Sequence, residues 1–295
     1  MLMNTLFFSG KIKLLRFFST ALILIFLFSS SKKNEAPPGM VFIHGHKFVM
    51  GSNHGLDNEA PLHTMKVHDF FIDKNLVTVQ QFADFVKATG YKTDAEKFGD
   101  GAIFNFETME WMLLDSADWQ HPLGQRFSHA PADHPVTQVS WQDAQAYCAW
   151  AHKRLPTEAE WEFAARQGIN STDKYSWGNK LFSNEKFHAN VWQGSFPENN
   201  TVADGFFFTS PVGYFGAAPN GLSDMGGNVW EICADNYKLY EEKTAQSDSI
   251  KVLRGGSFLC DSMVCHGYRV SARMYTTLET ATFHVGFRCA MDAKK

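Results

Sequence analysis

The sequence is poor in charged residues and has no excess of basic side chains. Only 20% of its 295 residues are charged, and the net charge of −4 gives no basic field that would attract nucleic acid. It has no low-complexity tract and no second linker, which argues against several separate domains. Aromatic residues are plentiful at 15% of the chain, which is typical of a well-packed body with aromatic-lined surfaces.

Cysteine is scarce as well. Only one pair, Cys260 and Cys265, is closely spaced, so no second pair supplies the other half of a four-sulfur zinc site. His266 and His284 could complete a mixed site, which keeps zinc open as an alternative. The odd total leaves at least one thiol free or chemically used. The five cysteines are Cys148, Cys233, Cys260, Cys265 and Cys289.

No apolar run reaches the roughly 20 residues that a membrane-spanning helix needs. The run from Phe17 to Phe28 follows three basic residues and precedes three serines, which is typical of a secretory signal. We therefore predict a signal peptide at residues 1–31, with an uncleaved N-terminal anchor as the alternative and a linker at 32–38. Either way the body is expected outside the cytoplasm, in a periplasm, the medium or a secretory lumen, where disulfides and copper thiolates persist. Any membrane contact would come from that anchor alone.

The stretch from Arg254 to Cys265 reads Arg-Gly-Gly-Ser-Phe-Leu-Cys-Asp-Ser-Met-Val-Cys. Thiolates are strong nucleophiles and soft ligands, and two of them bind soft ions such as Cu(I) or form a disulfide on oxidation. Gly255 and Gly256 allow the backbone to turn sharply before the pair. By spacing alone, a structural disulfide or half of a zinc site is the more usual interpretation, so the chemistry of this loop stays open.

Regular secondary structure is expected to be sparse. Short apolar runs at 40–43, 48–50 and 70–72 predict strands. Helices are predicted after Thr78 and from Ser140 to about Lys153; a third follows Thr157, which has capping-box spacing to Glu160. Beyond Arg166, Gly, Asn, Asp, Ser and aromatic residues dominate. The pattern predicts an α+β fold whose irregular backbone needs bound ions or disulfides.

Two segments carry oxygen ligands in glycine-containing loops. Asp224 and Glu231 lie seven positions apart around two glycines, and Asn190 and Asp204 flank another loop. Calcium takes six to eight oxygens, many of them backbone carbonyls, and suits such loops. Neither segment fits the EF-hand template; the alternative is that the carboxylates simply accept hydrogen bonds from loop amides.

Taken together, these segments resemble the formylglycine-generating enzymes, also called sulfatase-modifying factors. The resemblance covers about Pro38 to Asp292, and the corresponding domain is assigned to 39–292. The run at 93–100 and the Cys-x4-Cys pair are the features most specific to the true enzymes. Other motifs mark the wider superfamily, which includes non-catalytic relatives. The matching stretches are 39–43, 90–100, 117–122, 133–136, 154–162, 190–194, 226–231, 254–257 and 286–289.

The resemblance implies a compact single domain related to C-type lectins, with little regular secondary structure. It implies oxidation of the cysteine in Cys-x-Pro-x-Arg motifs of unfolded sulfatase chains to Cα-formylglycine, with copper and O2. Cys260 and Cys265 would be the catalytic pair and would hold Cu(I), with the substrate thiol as third sulfur. Ser257 would hydrogen-bond beside them.

The resemblance also implies two structural calcium ions and one disulfide. The first ion would be held by Asn190, Val191, Asp204 and Phe206, and the second by Asp224, Gly227, Val229 and Glu231. The disulfide would join Cys148 to Cys289. A second family disulfide would map to Ala165 and Val270, and both of its cysteines are missing together. Cys233 is then the odd thiol and is expected to be a buried apolar residue.

The chain departs from the family pattern around the sulfur pair. Met263 and Val264 replace a usual Ser-Tyr, Gly267 replaces an Arg, and His284 replaces an Asn. The usual Asn-Thr-Pro-Asp-Ser stretch is Tyr-Thr-Thr-Leu-Glu at 275–279. His284 is expected to be a hydrogen-bonded pocket residue, or else a new ligand or proton carrier. These changes bear on substrate positioning and leave both sulfurs in place.

Three functions follow from these observations. The leading prediction is the copper-dependent sulfatase-activating oxidase. The second is a non-catalytic paralogue that binds sulfatases or other peptides, with Cys260 and Cys265 as a structural disulfide. The third is an iron-dependent sulfoxide synthase, which is disfavoured because the helical domain that carries iron-binding histidines in those enzymes has no counterpart in this sequence.

Overall fold

Short strands that pair over long sequence distances form the frame of the protein. The computed structural model describes residues 36–245 and 247–293; the expected leader at 1–31 and most of the linker at 32–38 lie outside them. A three-stranded sheet has the order β1-β4-β13 and a four-stranded sheet the order β11-β10-β9-β12. The strands of these two sheets are β1 (Met40–Ile43), β4 (Phe70–Asp73), β9 (Trp230–Asn236), β10 (Ile250–Arg254), β11 (Arg273–Thr277), β12 (Val285–Gly286) and β13 (Ala290–Asp292).

Three two-stranded hairpins add to these sheets. Hairpin β5–β6 is the longest, with the register Asp100↔Asp115 to Asn105↔Glu110. The expected strands at 40–43, 48–50 and 70–72 are confirmed within β1, β2 and β4. The hairpin strands are β2 (Lys47–Met50) with β3 (His63–Lys66), β5 (Asp100–Asn105) with β6 (Glu110–Asp115), and β7 (Phe182–Ser183) with β8 (Lys186–Phe187).

The described residues contain four α-helices, α1 (Val79–Thr89), α2 (Asp94–Phe98), α3 (Trp141–Trp150) and α4 (Glu158–Ala165), and one 3-10 turn at Asp57–Glu59. Each α-helix begins at a Ser or Thr whose hydroxyl accepts a bond from the third helical amide, with a reciprocal side-chain bond. Gly90 ends α1 in the left-handed conformation. The three helices expected from sequence are confirmed, although α3 ends three residues early.

Most of the buried apolar side chains form two large clusters. One packs α1 and α3 under Trp230, Tyr268 and Cys260; the other packs α4 against the β1 sheet and includes Ala165 and Val270. A smaller aromatic cluster joins Phe104 of β5 to Trp192, Phe258 and Phe283. The expected α+β fold with little regular structure is therefore confirmed. Among the described residues, no helix is both long enough and apolar enough to span a bilayer.

Candidate active site and oxygen clusters

The two closely spaced sulfurs lie on a loop that we call the sulfur loop, residues 254–266, which follows β10. Cys260 and Cys265 are joined as a disulfide, with their Cα atoms 5.0 Å apart. Cys260 is buried in the first core cluster, whereas Cys265 is only partly buried. Between them, the side chains of Met263 and Val264 are 87% and 70% exposed. The pair therefore presents one inner sulfur and one outer sulfur.

Glycines shape the turn that leads to this pair. Gly255 and Gly256 have φ values of 90° and 68°, which side-chain-bearing residues rarely adopt. A Cβ on Gly256 would lie 2.5 Å from the carbonyl carbon of Gly267. The two backbone segments on either side of the sulfurs thus touch directly, and glycine at 256 is required.

Ser257 lies in this turn and is fully buried. Its backbone amide faces the Cys260 sulfur at 3.5 Å, and its carbonyl accepts a bond from the Cys260 amide at 2.9 Å. The hydroxyl accepts from the Leu259 amide at 3.3 Å. Ser257 is therefore placed beside the inner sulfur as expected, and its backbone makes the contact.

Asp261 is a member of the site that sequence reasoning missed. Its buried carboxylate accepts bonds from the amides of Met263 at 3.0 Å and Val264 at 2.5 Å, and from the Phe196 amide at 3.0 Å. The side chain therefore holds the backbone between the two cysteines and ties it to a second loop. The signal was available, because an Asp that opens a short turn commonly caps the next two or three amides.

His266 follows the outer sulfur and is fixed by Tyr175, whose hydroxyl lies 3.0 Å from Nε2. Burial, with Lys174 and Arg269 nearby, lowers the pKa of His266 to about 4. The imidazole is thus neutral at neutral pH. It acts here as a hydrogen-bonding partner and carries no charge.

Gly267, the position of a family Arg, is confined between Trp230 and the outer sulfur. A Cβ there would lie 2.5 Å from the Trp230 ring and 3.0 Å from the Cys265 sulfur. This backbone has no room for a side chain at 267. A side chain at 267 would require the Trp230 ring or the outer sulfur to move.

His284 lies away from the sulfur loop in sequence, and its backbone carbonyl accepts from the Trp230 amide at 2.9 Å. Its Nδ1 is 3.0 Å from the Thr282 hydroxyl, and its ring lies 5.0 Å from that of Trp111. Burial lowers the pKa of His284 to about 3, so the ring is neutral. Within residues 36–245 and 247–293, no three His, Cys, Asp or Glu side chains gather as a metal site, so the mixed zinc site with His266 and His284 is not assembled.

The first oxygen cluster, made by Asn190, Val191, Asp204 and Phe206, is brought together as expected. Asp204 accepts from the amides of Val191 and Phe206, each at 3.0 Å. Asn190 donates to the Phe208 carbonyl at 2.8 Å, but its Oδ1 is buried without a partner. Burial raises the pKa of Asp204. An unpartnered buried oxygen near a buried carboxylate that has no cationic partner is the environment that a bound cation stabilises.

The second oxygen cluster comprises Asp224, Gly227, Val229 and Glu231. Burial raises the pKa of Asp224 to about 6, and Glu231 adds to the rise. The carboxylate of Glu231, in contrast, is already neutralised, because Arg288 donates to both of its oxygens at 2.6 and 2.9 Å. A Cβ on Gly227 would lie 2.5 Å from the Asn190 carbonyl oxygen, so the two clusters touch. Asp224 is therefore the carboxylate of this cluster without an arginine partner, and it accepts one bond, from the Gly213 amide at 2.6 Å.

The other three cysteines are buried thiols. The sulfurs of Cys148 and Cys289 lie 3.0 Å apart, in contact but not bonded, so their disulfide stays a prediction. Cys233 is fully buried in the second core cluster. Ala165 and Val270, which replace a family disulfide, are buried in that same cluster.

A buried ion-pair network connects the start of the sulfur loop to helix α4. Arg254, at its start, is fully buried and donates to Glu158 at 3.1 Å and Glu162 at 2.5 Å on α4. Glu158 also forms an ion pair with Arg273 of β11 at 2.7 Å, and Glu162 forms one with Arg166 at 2.8 Å. Removing one partner from such a network leaves an uncompensated buried charge, which typically costs about 3–5 kcal/mol. The network therefore fixes where the loop begins.

Comparisons with known proteins agree with this arrangement. The family model of the sulfatase-modifying factor enzyme 1-like domain matches residues 27–293. A formylglycine-generating enzyme of Streptomyces coelicolor is 41% identical over 282 residues, covering 86% of this chain and 90% of that protein. An inactive C-alpha-formylglycine-generating enzyme 2 of Mus musculus is 39% identical, covering 87% and 86%.

Among solved structures, that of PvdO from Pseudomonas aeruginosa has a TM-score of 0.65 at 25% identity, covering 88% of this chain and 96% of that one. Overall identity is nearly equal for a relative named as an enzyme and for one named as inactive. It therefore assigns the family without assigning activity. The chain belongs to the sulfatase-modifying factor enzyme 1-like family.

Proposed function

We propose that the protein oxidises a cysteine of sulfatase polypeptides to Cα-formylglycine, with O2 as oxidant and Cu(I) held by Cys260 and Cys265. The supporting observation is the sulfur loop: two sulfurs close enough to bond, one buried and one partly exposed, in a chain 41% identical to a formylglycine-generating enzyme. The donor set fits the ion, because paired thiolates favour soft Cu(I). When bound, copper would supply the activation of O2.

The chain's own residues have separate tasks in this proposal. A thiol reductant first opens the disulfide, and the partly exposed Cys265 is the sulfur that an incoming substrate thiol reaches. Cys260 stays anchored, because the Ser257 amide faces its sulfur and its carbonyl accepts from the Trp192 amide at 3.2 Å. Asp261 keeps the spacing of the two sulfurs, since it holds the amides between them.

The net reaction balances with an external thiol. The thiol-bearing methylene of the substrate cysteine becomes an aldehyde with release of hydrogen sulfide, a two-electron oxidation. O2 accepts four electrons, and the products contain one aldehyde oxygen and one water for each O2 consumed. Two further electrons and two protons are therefore required, and the thiol reductant supplies them by forming its own disulfide.

Calcium and export belong to the same proposal. The first oxygen cluster fits calcium because Asn190 Oδ1 has no partner and burial raises the pKa of Asp204. The second cluster would hold its ion through Asp224 and backbone oxygens, with Glu231 shared with Arg288. The expected leader at 1–31 supports a location outside the cytoplasm, where calcium is abundant and sulfatase chains pass in unfolded form.

A second candidate function is a sulfatase- or peptide-binding protein without oxidase activity. Two observations favour it: the sulfur pair is joined as a disulfide, and a relative of 39% identity is named inactive. In that case the disulfide would be structural, and the peptide would stay unoxidised even after reduction of the protein and loading with Cu(I). Peptide binding would persist with or without a reducing agent.

A peptide assay separates the two candidates. A Cys-x-Pro-x-Arg peptide is incubated with the protein, copper, oxygen and a thiol reductant, beside a matched Ser-x-Pro-x-Arg peptide. We expect the mass of the cysteine peptide to fall by the difference between a thiol and an aldehyde, and the product to react with a hydrazide. The serine peptide should stay unchanged. An unchanged mass with protein that has bound Cu(I) after reduction would reject the oxidase and leave the binding protein.

A further inference from the structure

The side chain of Gln193 occupies the middle of the first oxygen cluster. Its Nε2 donates to Asp204 Oδ2 at 2.5 Å and also to the carbonyl oxygen of Val191. Its Oε1 accepts from the Asp204 amide at 3.1 Å. Val191 and Asp204 supply two of the oxygens assigned to the first calcium ion, and a single NH2 group binds both of them.

Another oxygen of the cluster, Asn190 Oδ1, is not satisfied by this NH2 group. Asn190 directly precedes Val191 in the sequence. Its Oδ1 is buried and receives no hydrogen bond. An NH2 group has only two hydrogens, and Gln193 uses both on Val191 and Asp204. The Gln193 NH2 group therefore serves two oxygens of the cluster, and Asn190 Oδ1 is left without a donor.

A side-chain amide has two chemically different ends. Without a cation, the NH2 end is favoured at this position, because it donates hydrogen bonds to the oxygens of the cluster. The carbonyl end would be disfavoured there, because it would add another acceptor that has no donor. A divalent cation reverses this preference, because calcium is held by amide and carboxylate oxygens and repels N–H donors. One rotation of the terminal amide exchanges the two ends without moving the backbone. It also takes the acceptor away from the Asp204 amide, a cost that binding of the ion has to offset.

We propose that the Gln193 amide takes the place of the cation in the calcium-free protein and, when calcium binds, turns over so that Oε1 becomes an additional ligand. This inference rests on the proposed calcium site. It assigns a ligand that the resemblance does not include, and it makes the first cluster a two-state element. Without the ion, the amide satisfies two oxygens; with the ion, all the oxygens face a cation.

Three substitutions test the assignment on the full chain. Gln193→Leu removes both ends of the amide at similar size, and Gln193→Glu keeps two oxygens and adds charge. Gln167→Leu is the matched control, since the Gln167 Nε2 donates to the Ser176 carbonyl at 3.2 Å, outside the cluster. Calcium binding is measured by titration calorimetry after chelator treatment, and melting is followed with chelator and with calcium.

We expect Gln193→Glu to melt lower than wild type in chelator, because a carboxylate then faces Asp204. Its calcium affinity should rise about tenfold, because more ligand charge tightens oxygen sites. Gln193→Leu should lose stability in chelator and bind calcium about tenfold more weakly, a change of about 1.4 kcal/mol. Gln167→Leu should bind calcium like wild type.

A spectroscopic readout follows the amide itself. In nitrogen-labelled protein, the side-chain NH2 resonances of Gln193 are those absent from both Gln193 variants. We expect this pair to move toward values typical of solvent-exposed or weakly bonded amides when calcium is added, since its two acceptors pass to the ion. A pair that does not move on saturation with calcium would overturn the proposal.

The outcomes also separate this inference from the proposed function. If wild type binds no calcium, the calcium part of the proposed function fails and this inference falls with it. If wild type binds calcium and both Gln193 variants bind it with unchanged affinity, the site stands. In that case Gln193 is only a structural tie, and the inference alone is wrong.

Discussion

The protein brings two pairs of cysteines together, and the pairs differ in sequence separation and in access to solvent. Cys260 and Cys265 are five residues apart, with the outer sulfur partly exposed. Cys148 and Cys289 are 141 residues apart and both fully enclosed by the core. Burial and the neighbouring Cys148 raise the pKa of Cys289 well above its ordinary value. Proximity is common to both pairs, so access distinguishes them.

This difference assigns separate tasks to the pairs. A thiolate is the reactive form, and a buried thiol with a raised pKa is inert toward exchange. A bond between Cys148 and Cys289 would close a long loop and so constrain the unfolded chain strongly. The sulfur loop, in contrast, closes a very short ring, which contributes less to stability and leaves the outer sulfur reachable.

The largest expected effect comes from matched Cys→Ser changes in the two pairs. Cys265→Ser should lower conversion of the peptide by more than about a hundredfold, since even a small misplacement of a reacting group costs about that much. Cys289→Ser should keep the conversion rate of wild type while the protein is folded. Mass spectrometry of the peptide measures both. Full activity in Cys265→Ser, or its loss in folded Cys289→Ser, would break the comparison.

The next effect is on stability. A Cys260→Ser and Cys265→Ser double variant keeps only the buried pair, and we expect oxidation to raise its free energy of unfolding by about 5 kcal/mol by the loop-entropy estimate. A Cys148→Ser variant keeps only the short-loop pair, for which the same relation gives about 2 kcal/mol. Guanidinium unfolding of oxidised and reduced samples gives both differences. Equal gains would show that loop length does not separate the pairs.

The stability of helix α3, which carries one cysteine of the buried pair, should depend on pH. Helix α3 carries Cys148 and is capped at its start by Asp143, whose pKa is raised to about 6, chiefly by burial. The unfolded carboxyl titrates near pH 4, so the folded state holds the extra proton between about pH 4 and 6. The free energy of unfolding due to this group should therefore fall as pH rises through that window, by up to about 3 kcal/mol.

Asp143→Asn isolates this contribution, because the amide keeps a cap and cannot titrate. Relative to wild type, the variant should gain stability as the pH rises from about 4 to 6 and change no further above that. Urea unfolding across this range measures the difference. A difference that stays nearly constant across this range would show that Asp143 is ionised throughout and that its pKa is not raised.

The smallest effect concerns the shape of the sulfur loop. Asp261→Ala leaves the amides of Met263, Val264 and Phe196 without their acceptor, which should cost about 1–3 kcal/mol. The loosened loop should also make the Cys260–Cys265 disulfide easier to reduce, because the sulfurs are no longer held together. Thiol titration in a series of glutathione redox buffers gives the midpoint at which half of the Cys260–Cys265 disulfide is reduced. Asp261→Asn serves as the milder change. An unaltered midpoint would mean that the two glycines alone set the loop.

Local patterns in the sequence predicted much of this arrangement. Apolar stripes predicted the helices after Thr78 and Ser140, and the capping-box spacing of Thr157 and Glu160 predicted the third, because these signals act over only three or four positions. Helix α2 was missed, since five residues between Thr93 and Gly99 give too few turns for an apolar stripe. The spacing of Cys260 and Cys265 identified the sulfur loop for the same local reason.

Contacts between distant segments were beyond such patterns. Glu231 was assigned as an ion ligand, and nothing local showed that Arg288, 57 positions away, would donate to both of its oxygens. The Phe196 amide that binds Asp261 lies 65 positions away. Burial of a polar residue and the partner that satisfies it are properties of the packed chain, so they emerge only with the fold.

The contrast between crowded and open positions on the sulfur loop defines where variation is tolerated. Gly256 and Gly267 abut backbone and ring atoms, so a library randomised at either position would return mostly glycine. Met263 and Val264, with side chains 87% and 70% exposed, lie between the two sulfurs and carry no packing duty. Directed evolution toward new target peptides should therefore begin at these two positions, where substitutions are tolerated and the two cysteines are kept.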